Sequence, residues 1–65
     1  MTKKDFKFIA DQFKLLIDSA HHIEDETAYE MAAIHFSKTL SQTNPRFDRK
    51  RFVSACGINP EQYGI

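Results

Sequence analysis

The sequence has few residues that can cross-link the chain or interrupt a helix. It contains one cysteine, two glycines and two prolines in 65 residues. The lone thiol, Cys56, excludes an internal disulfide, and a chain without a cysteine pair is typical of a reducing compartment. Both glycines and both prolines follow residue 44. The stretch 3–43 therefore has no strong helix breaker and is predicted to be helical.

The sequence also lacks a net charge and a long apolar run. Nine basic residues balance nine acidic ones, which argues on composition alone against a strongly nucleic-acid-binding protein. Apolar runs such as 15–17 and 31–34 reach at most four residues, far below the roughly 18 residues that span a membrane. The charged N-terminus predicts no signal peptide, so we expect a soluble protein without a membrane partner.

The chain is long enough for one small domain, over residues 1–65. A domain of this size buries only about 60% of its unfolded surface, so its core is small. Such folds usually gain stability from a disulfide, a metal or a partner chain. The fold class predicted here is all-α: a three-helix mini-domain with two longer antiparallel helices and a short C-terminal helix.

Hydrophobic periodicity predicts the first two helices at 3–20 and 26–41. At about 100° per residue each helix has one apolar face, assigned to the core. On the first helix this face comprises Phe6, Ile9, Ala10, Phe13, Leu16, Ile17 and Ala20, and on the second Tyr29, Ala32, Ala33, Phe36 and Leu40. Two caps are open for the second helix: Asp25 alone, or Thr27 with Glu30 as a capping box.

Two apolar pairs lie away from these core faces. Phe8 and Leu15 share the opposite side of the first helix, and Met31 and Ile34 that of the second. We expect the first pair to hold a symmetric homodimer, with each Phe8 meeting Leu15 of its mate. The alternative is that the C-terminal tail, with Tyr63 and Ile65, covers one pair and leaves the other in water.

Local signals define the start of a third helix at 49–56. Asp48 is the predicted N-cap, and Phe47 and Phe52 fall at the two positions of a hydrophobic staple. A competing interpretation makes Asn44 the cap and Pro45 the first helical residue.

The end of this helix also carries a recognisable pattern. Gly57 is predicted to take the left-handed conformation, with Ile58 touching Val53 as in a Schellman motif. The tail, 59–65, is predicted to be extended or loosely helical and to lie on the body.

The charges are unevenly placed. Arg46, Arg49, Lys50 and Arg51 form a basic cluster, and the predicted topology gathers Lys3, Lys4, Lys7 and Lys38 at the same end. The opposite end carries Asp18, Glu24, Asp25, Glu26 and Glu30. Cations at a helix N-terminus predict an anionic partner. The alternative is that Arg46 and Arg51 pair with internal carboxylates or helix C-terminal carbonyls while Lys50 is merely solvated.

No residue pattern predicts catalysis, a metal or a cofactor. His21, His22 and His35 are placed too far apart to converge on a zinc ion, and the first two are expected in an exposed turn; the sequence does not define their role. Cys56 lies on the predicted apolar face without an adjacent base, so we expect a buried structural thiol.

The opening TKKDFKFIADQF and the ending NPRFDRKRFVSACG resemble a group of short uncharacterised proteins of tailed phages. The group's pattern is "F..IA" followed by "NPRFDR.RF..ACG". The resemblance implies a phage origin and the cytoplasm of a host cell, and it carries over no site residue.

Taken together, these features predict a non-enzymatic phage-type protein that binds a host macromolecule. A host protein is the favoured partner, with an adaptor or inhibitor role in host takeover or against host defence. The first alternative is a nucleic-acid-binding protein that uses the basic end. The second is a structural homo-oligomer.

Overall fold

A computed structural model describes residues 2–65 and confirms the all-α class. The helices are α1 (Lys3–Ser19), α2 (Ile23–Thr43) and α3 (Arg49–Ala55), followed by a short 3₁₀-helix at Pro60–Tyr63. The described part of the chain contains no strand. Two longer antiparallel helices and a short C-terminal one form the predicted three-helix mini-domain. No helix among residues 2–65 has the length and hydropathy needed to cross a membrane.

The chain enters α1 through a capping box. The backbone amide of Thr2 donates to the carboxylate of Asp5 at 2.9 Å, and the amide of Asp5 donates to the hydroxyl of Thr2 at 3.4 Å. The hydroxyl of Thr2 also donates to the Asp5 carboxylate, at 3.1 Å. The bonds that the Thr2 amide and hydroxyl donate to this carboxylate lower the pKa of Asp5. The capping box sets the start of α1, whose first turn contains the first basic residues of the chain.

The predicted start of α2 is wrong by three residues. The helix begins at Ile23 rather than residue 26, with His22 at the cap position and no side-chain cap hydrogen bond. Neither Asp25 alone nor the Thr27 capping box is used. Three carboxylates, Glu24, Asp25 and Glu26, instead occupy the first turn, where negative charge is favoured by the helix dipole. The helix also ends later, at Thr43 rather than 41.

The predicted start of α3 is confirmed. The carboxylate of Asp48 accepts from the backbone amide of Arg51 at 3.0 Å, and the rings of Phe47 and Phe52 lie 5.5 Å apart. The competing start at Pro45 is wrong, because Asn44 closes a turn instead. The Asn44 carbonyl accepts from the amide of Phe47 at 3.0 Å.

The end of α3 is the predicted Schellman motif. Gly57 has φ +83°, its amide donates to Ser54, and the amide of Ile58 donates to the carbonyl of Val53. Ile58 and Val53 are both buried. A side chain at Gly57 would be strained by its backbone conformation whatever the space around it. The helix ends at Ala55, one residue before the predicted position, as α1 does at Ser19.

A chain of aromatic rings joins the three helices. Phe6 contacts Phe47 (centroids 4.9 Å apart), which contacts Phe52 on α3. Phe52 in turn lies 6.4 Å from Phe13 on α1 and 6.0 Å from Phe36 on α2. Because α3 runs beside α1 in the same direction, this aromatic chain extends the core to the start of both helices.

Small side chains let the helices approach closely. Ala10 on α1 and Ala33 and Ser37 on α2 are fully buried. The Ser37 hydroxyl donates to the carbonyl of Ile34 at 2.7 Å. Its polar group is therefore satisfied inside the core.

Three side chains differ from their predicted burial. Leu16, assigned to the core, is 45% exposed, and Ala32 is also exposed. Ile34, predicted to be left over, is half-buried and packs against the core, as Tyr63 and Ile65 of the tail do. Burial, then the nearby Glu30 carboxylate, raises the pKa of Tyr63. The 3₁₀-helix of the tail contacts α3, and Tyr63 and Ile65 pack at the edge of the core.

Candidate binding groove at the basic end

An open groove of about 420 Å³ lies between the starts of α1 and α3. We call it the basic groove. Its apolar floor is formed by Phe6, Ala10, Phe47, Phe52 and Ala55, and its rim by Lys3, Lys4, Lys7, Arg46 and Arg51. Asp48 also lines the groove, but its carboxylate is occupied in capping α3. The arrangement offers an apolar surface bordered by positive charge.

The local folds described above position the rim. The capping box at Thr2 starts α1, so that three lysines follow within its first five residues. The turn at Asn44 and the cap at Asp48 place Arg46 and Arg51 across from them. Contact between the rings of Phe6 and Phe47 holds the two sides together.

The rim cations have few internal partners. Among residues 2–65 the one ion pair joins Lys7 to Asp11 at 3.3 Å, and it lies on an exposed helix face. Lys3, Lys4, Arg46 and Arg51 are exposed and have no carboxylate within ion-pair distance in that part of the chain. The alternative in which Arg46 and Arg51 pair with internal carboxylates is therefore not what the structure shows.

Arg49 has a structural contact that the sequence did not reveal. Its side chain is half-buried, and its Nε donates to the hydroxyl of Ser37 on α2 at 3.0 Å. It thus links α3 to α2 and does not line the groove. The two residues are twelve positions apart, and no local motif signals the contact.

Lys38 and Lys50 are exposed but also do not line the groove. Of the seven cations predicted as a binding set, four come together here: Lys4, Lys7, Arg46 and Arg51. Lys3 joins them. The aromatic floor was not predicted as part of a site, because helical periodicity assigns Phe6 to the core without showing that one side of it stays open.

Cys56, His21 and His22 do not line the basic groove. Cys56 is fully buried, and burial, then the charge of Asp11, raises its pKa to about 11. A thiol with this pKa is protonated at neutral pH and a poor nucleophile. His21 and His22 are exposed beside the turn before α2. Within residues 2–65 no three His, Cys, Asp or Glu side chains converge as metal ligands would.

A separate apolar surface lies on the outer side of α1. Phe8 is 65% exposed and Leu15 62%, as the sequence predicted. Phe8 is the one phenylalanine outside the aromatic chain. Met31 is half-exposed, also as predicted, and Ile23 at the start of α2 is 79% exposed.

Comparison of the chain with protein-family models, with curated proteins and with solved structures finds no match. The resemblance to short phage proteins therefore stays a prediction, and a functional proposal depends on the geometry of the chain itself.

Proposed function

We propose that this protein is a non-enzymatic binding module that docks an acidic segment of another protein in its basic groove. The observation that carries the proposal is the combination of an apolar, aromatic floor with exposed cations at its rim. A segment bearing both carboxylates and large apolar side chains would satisfy both features at once. In the setting implied by the resemblance, the partner is a host protein in the cytoplasm, and the role is that of an adaptor or inhibitor.

The charge layout supports a role in association. The rim faces solvent at one end of the molecule, while Asp18, Glu24, Asp25 and Glu26 are exposed at the other. A neutral chain with separated charges has a strong dipole, which orients an acidic partner toward the basic end before contact.

A nucleic acid is the alternative partner, and the floor of the groove disfavours it. Single strands are bound by stacking bases on exposed aromatic faces. Phe6 and Phe47 are instead half-buried against each other, and Phe52 is 4% exposed. The rim can meet phosphates, but the floor offers apolar contact rather than an open stacking platform.

Affinity capture from host-cell lysate tests the proposal. The bait is the wild type, Arg46→Glu/Arg51→Glu, or the matched control Lys38→Glu/Lys50→Glu, which changes the net charge by the same amount outside the groove. We expect the wild type to capture a host protein, and this capture should persist after nuclease treatment. The Lys38→Glu/Lys50→Glu control should still capture that protein, and the Arg46→Glu/Arg51→Glu variant should not. Capture that nuclease abolishes would favour the nucleic-acid alternative, and equal loss in both variants would remove the groove from the mechanism.

Self-association of the chain is a distinct proposal with its own surface. It depends on the outer side of α1 and not on the groove, so either can fail without the other.

A further inference from the structure

The exposed apolar side chains of α1 lie on one side of the helix, where the exposed Gln12 separates Phe8 from Leu15 and Leu16. Phe8, Leu15 and Leu16 are 65%, 62% and 45% exposed, and at 100° per residue they lie within about 100° of one another around the helix. Next to Leu16, an open depression between α1 and α2 is lined by Ile9, Gln12, Phe13, Leu16 and Phe36. We call Phe8, Leu15 and Leu16 the outer stripe. The tail, whose 3₁₀-helix contacts α3, leaves these three side chains exposed.

We propose that the outer stripe is the interface of a symmetric dimer in which two α1 helices pair antiparallel. The occupant is a second copy of this chain, because the stripe and its flanking charges are self-complementary. In this register residue i of one copy faces residue 23 − i of the other. Each Phe8 then lies over Leu15 and Leu16 of the mate, at the edge of the depression between α1 and α2. The same register brings each Lys4 beside Asp18 of the mate.

The flanking charges fit this register and not a parallel one. Around the helix, Lys4, Asp11 and Asp18 border the same side of the stripe. In the antiparallel pair the two-fold axis is perpendicular to both helices, so this flank of one α1 lies beside the same flank of the other. Lys4 of each copy therefore meets Asp18 of its mate, once at each end of the interface. Asp11 meets Asp11 near the axis, but each is paired with Lys7 at 3.3 Å. A parallel pair would leave Lys4 and Asp18 of the mate about 20 Å apart along the helix, so the two charges could not pair.

The dimer would present two basic grooves. The groove lies on the same side of α1 as Lys4 and Lys7, so both copies of it open on one side of the dimer. Their separation along α1 is roughly 16 Å, because the groove is centred on position 6 and its counterpart on position 17, eleven residues at 1.5 Å each. A partner with two acidic segments would then be bound more tightly than by one groove alone.

Sedimentation equilibrium from 10 to 500 μM tests the interface. We expect the wild type to approach twice the 7.6 kDa chain mass and Phe8→Ser to remain a monomer. Because Phe8 is exposed, its replacement should leave the helical circular dichroism unchanged, which checks the fold. A wild type that stays at 7.6 kDa over the whole range, or a dimer that survives Phe8→Ser, would overturn the proposal.

A charge swap tests the register. Lys4→Glu and Asp18→Lys should each raise the dimer Kd about fivefold, and the double variant should return it close to the wild-type value. Lys38→Glu, away from α1, is the control and should not change it. Failure of the double variant to recover would overturn the antiparallel register. Dimer loss in Arg46→Glu/Arg51→Glu but not in Phe8→Ser would instead indicate head-to-tail pairing of the basic end with the acidic one.

Discussion

The two ends of this molecule are built differently. At the basic end, α1 and α3 start from side-chain caps, and the aromatic chain reaches from Phe6 through Phe47 to the core. At the acidic end, α2 starts without a side-chain cap, and residues 21–28 are all exposed. The cations therefore sit on the well-packed end and the carboxylates on the sparsely packed one. A charged groove on a packed aromatic floor suits a binding surface, because less order is lost there on binding.

Truncation of Phe52, the central ring of the aromatic chain, tests how much the packing of this end contributes to stability. Phe52→Ala should lower the free energy of unfolding by about 3–5 kcal/mol, because Phe52 is buried at the meeting point of all three helices. Urea denaturation followed by circular dichroism measures the change. Phe8→Ala, at a concentration where the protein is monomeric, removes the same side chain from an exposed site and should cost about 0.5 kcal/mol or less. Equal losses in the two variants would contradict the packing described here.

Replacing one aspartate at the start of α3 and one at the start of α2 compares how much each contributes to stability. Asp48→Ala should destabilise the protein by about 1 kcal/mol, because it removes the hydrogen bond to the amide of Arg51. Asp25→Ala should cost less, because the Asp25 side chain contributes only its charge near the start of α2. The same urea experiment compares them. A larger loss from Asp25→Ala would mean that α2 is capped as the sequence first predicted.

The buried thiol should affect stability only at high pH, so that no effect is expected at neutral pH. The pKa of Cys56 is raised from 9.0 to about 11 by burial, with a contribution from Asp11. Above pH 9 the unfolded thiol therefore loses its proton while the folded one keeps it. Stability should fall between pH 9 and 11 and the thiol's contribution should be constant below pH 9.

The control for this pH dependence is Cys56→Ala. It should lose the part of the slope between pH 9 and 11 that corresponds to one proton, while the slope from Tyr63, whose pKa is also raised, remains. Superimposable slopes for wild type and variant would mean that Cys56 is not shielded from water.

Local signals in the sequence were enough to predict α3. Asp48, Phe47, Phe52 and Gly57 act on neighbours at most five residues away, and the structure uses each as predicted. The start of α2 was missed because carboxylates near the helix dipole replaced a side-chain cap. Carboxylates can favour a helix start from any position in its first turn, whereas the two residues of a capping box must be three positions apart.

Contacts between distant residues were beyond the sequence. The hydrogen bond from Arg49 to Ser37 depends on how α3 packs against α2. The basic groove depends on α3 lying beside α1 in the same direction, which brings Arg46 near Lys3. Charge patterning predicted that cations gather at this end, but it did not separate those of the groove from Lys38 and Lys50.

An NMR titration of the ¹⁵N-labelled protein tests the central claim most directly. Three probes of equal charge are compared: an acidic peptide with two leucines, the same peptide with both leucines changed to serine, and a short oligothymidylate. We expect the first to bind most tightly, to shift the amides of Phe6, Phe47 and Ala55, and to lose its binding with Arg46→Glu/Arg51→Glu. Tightest binding of the oligothymidylate, or shifts confined to residues outside the groove, would contradict the account.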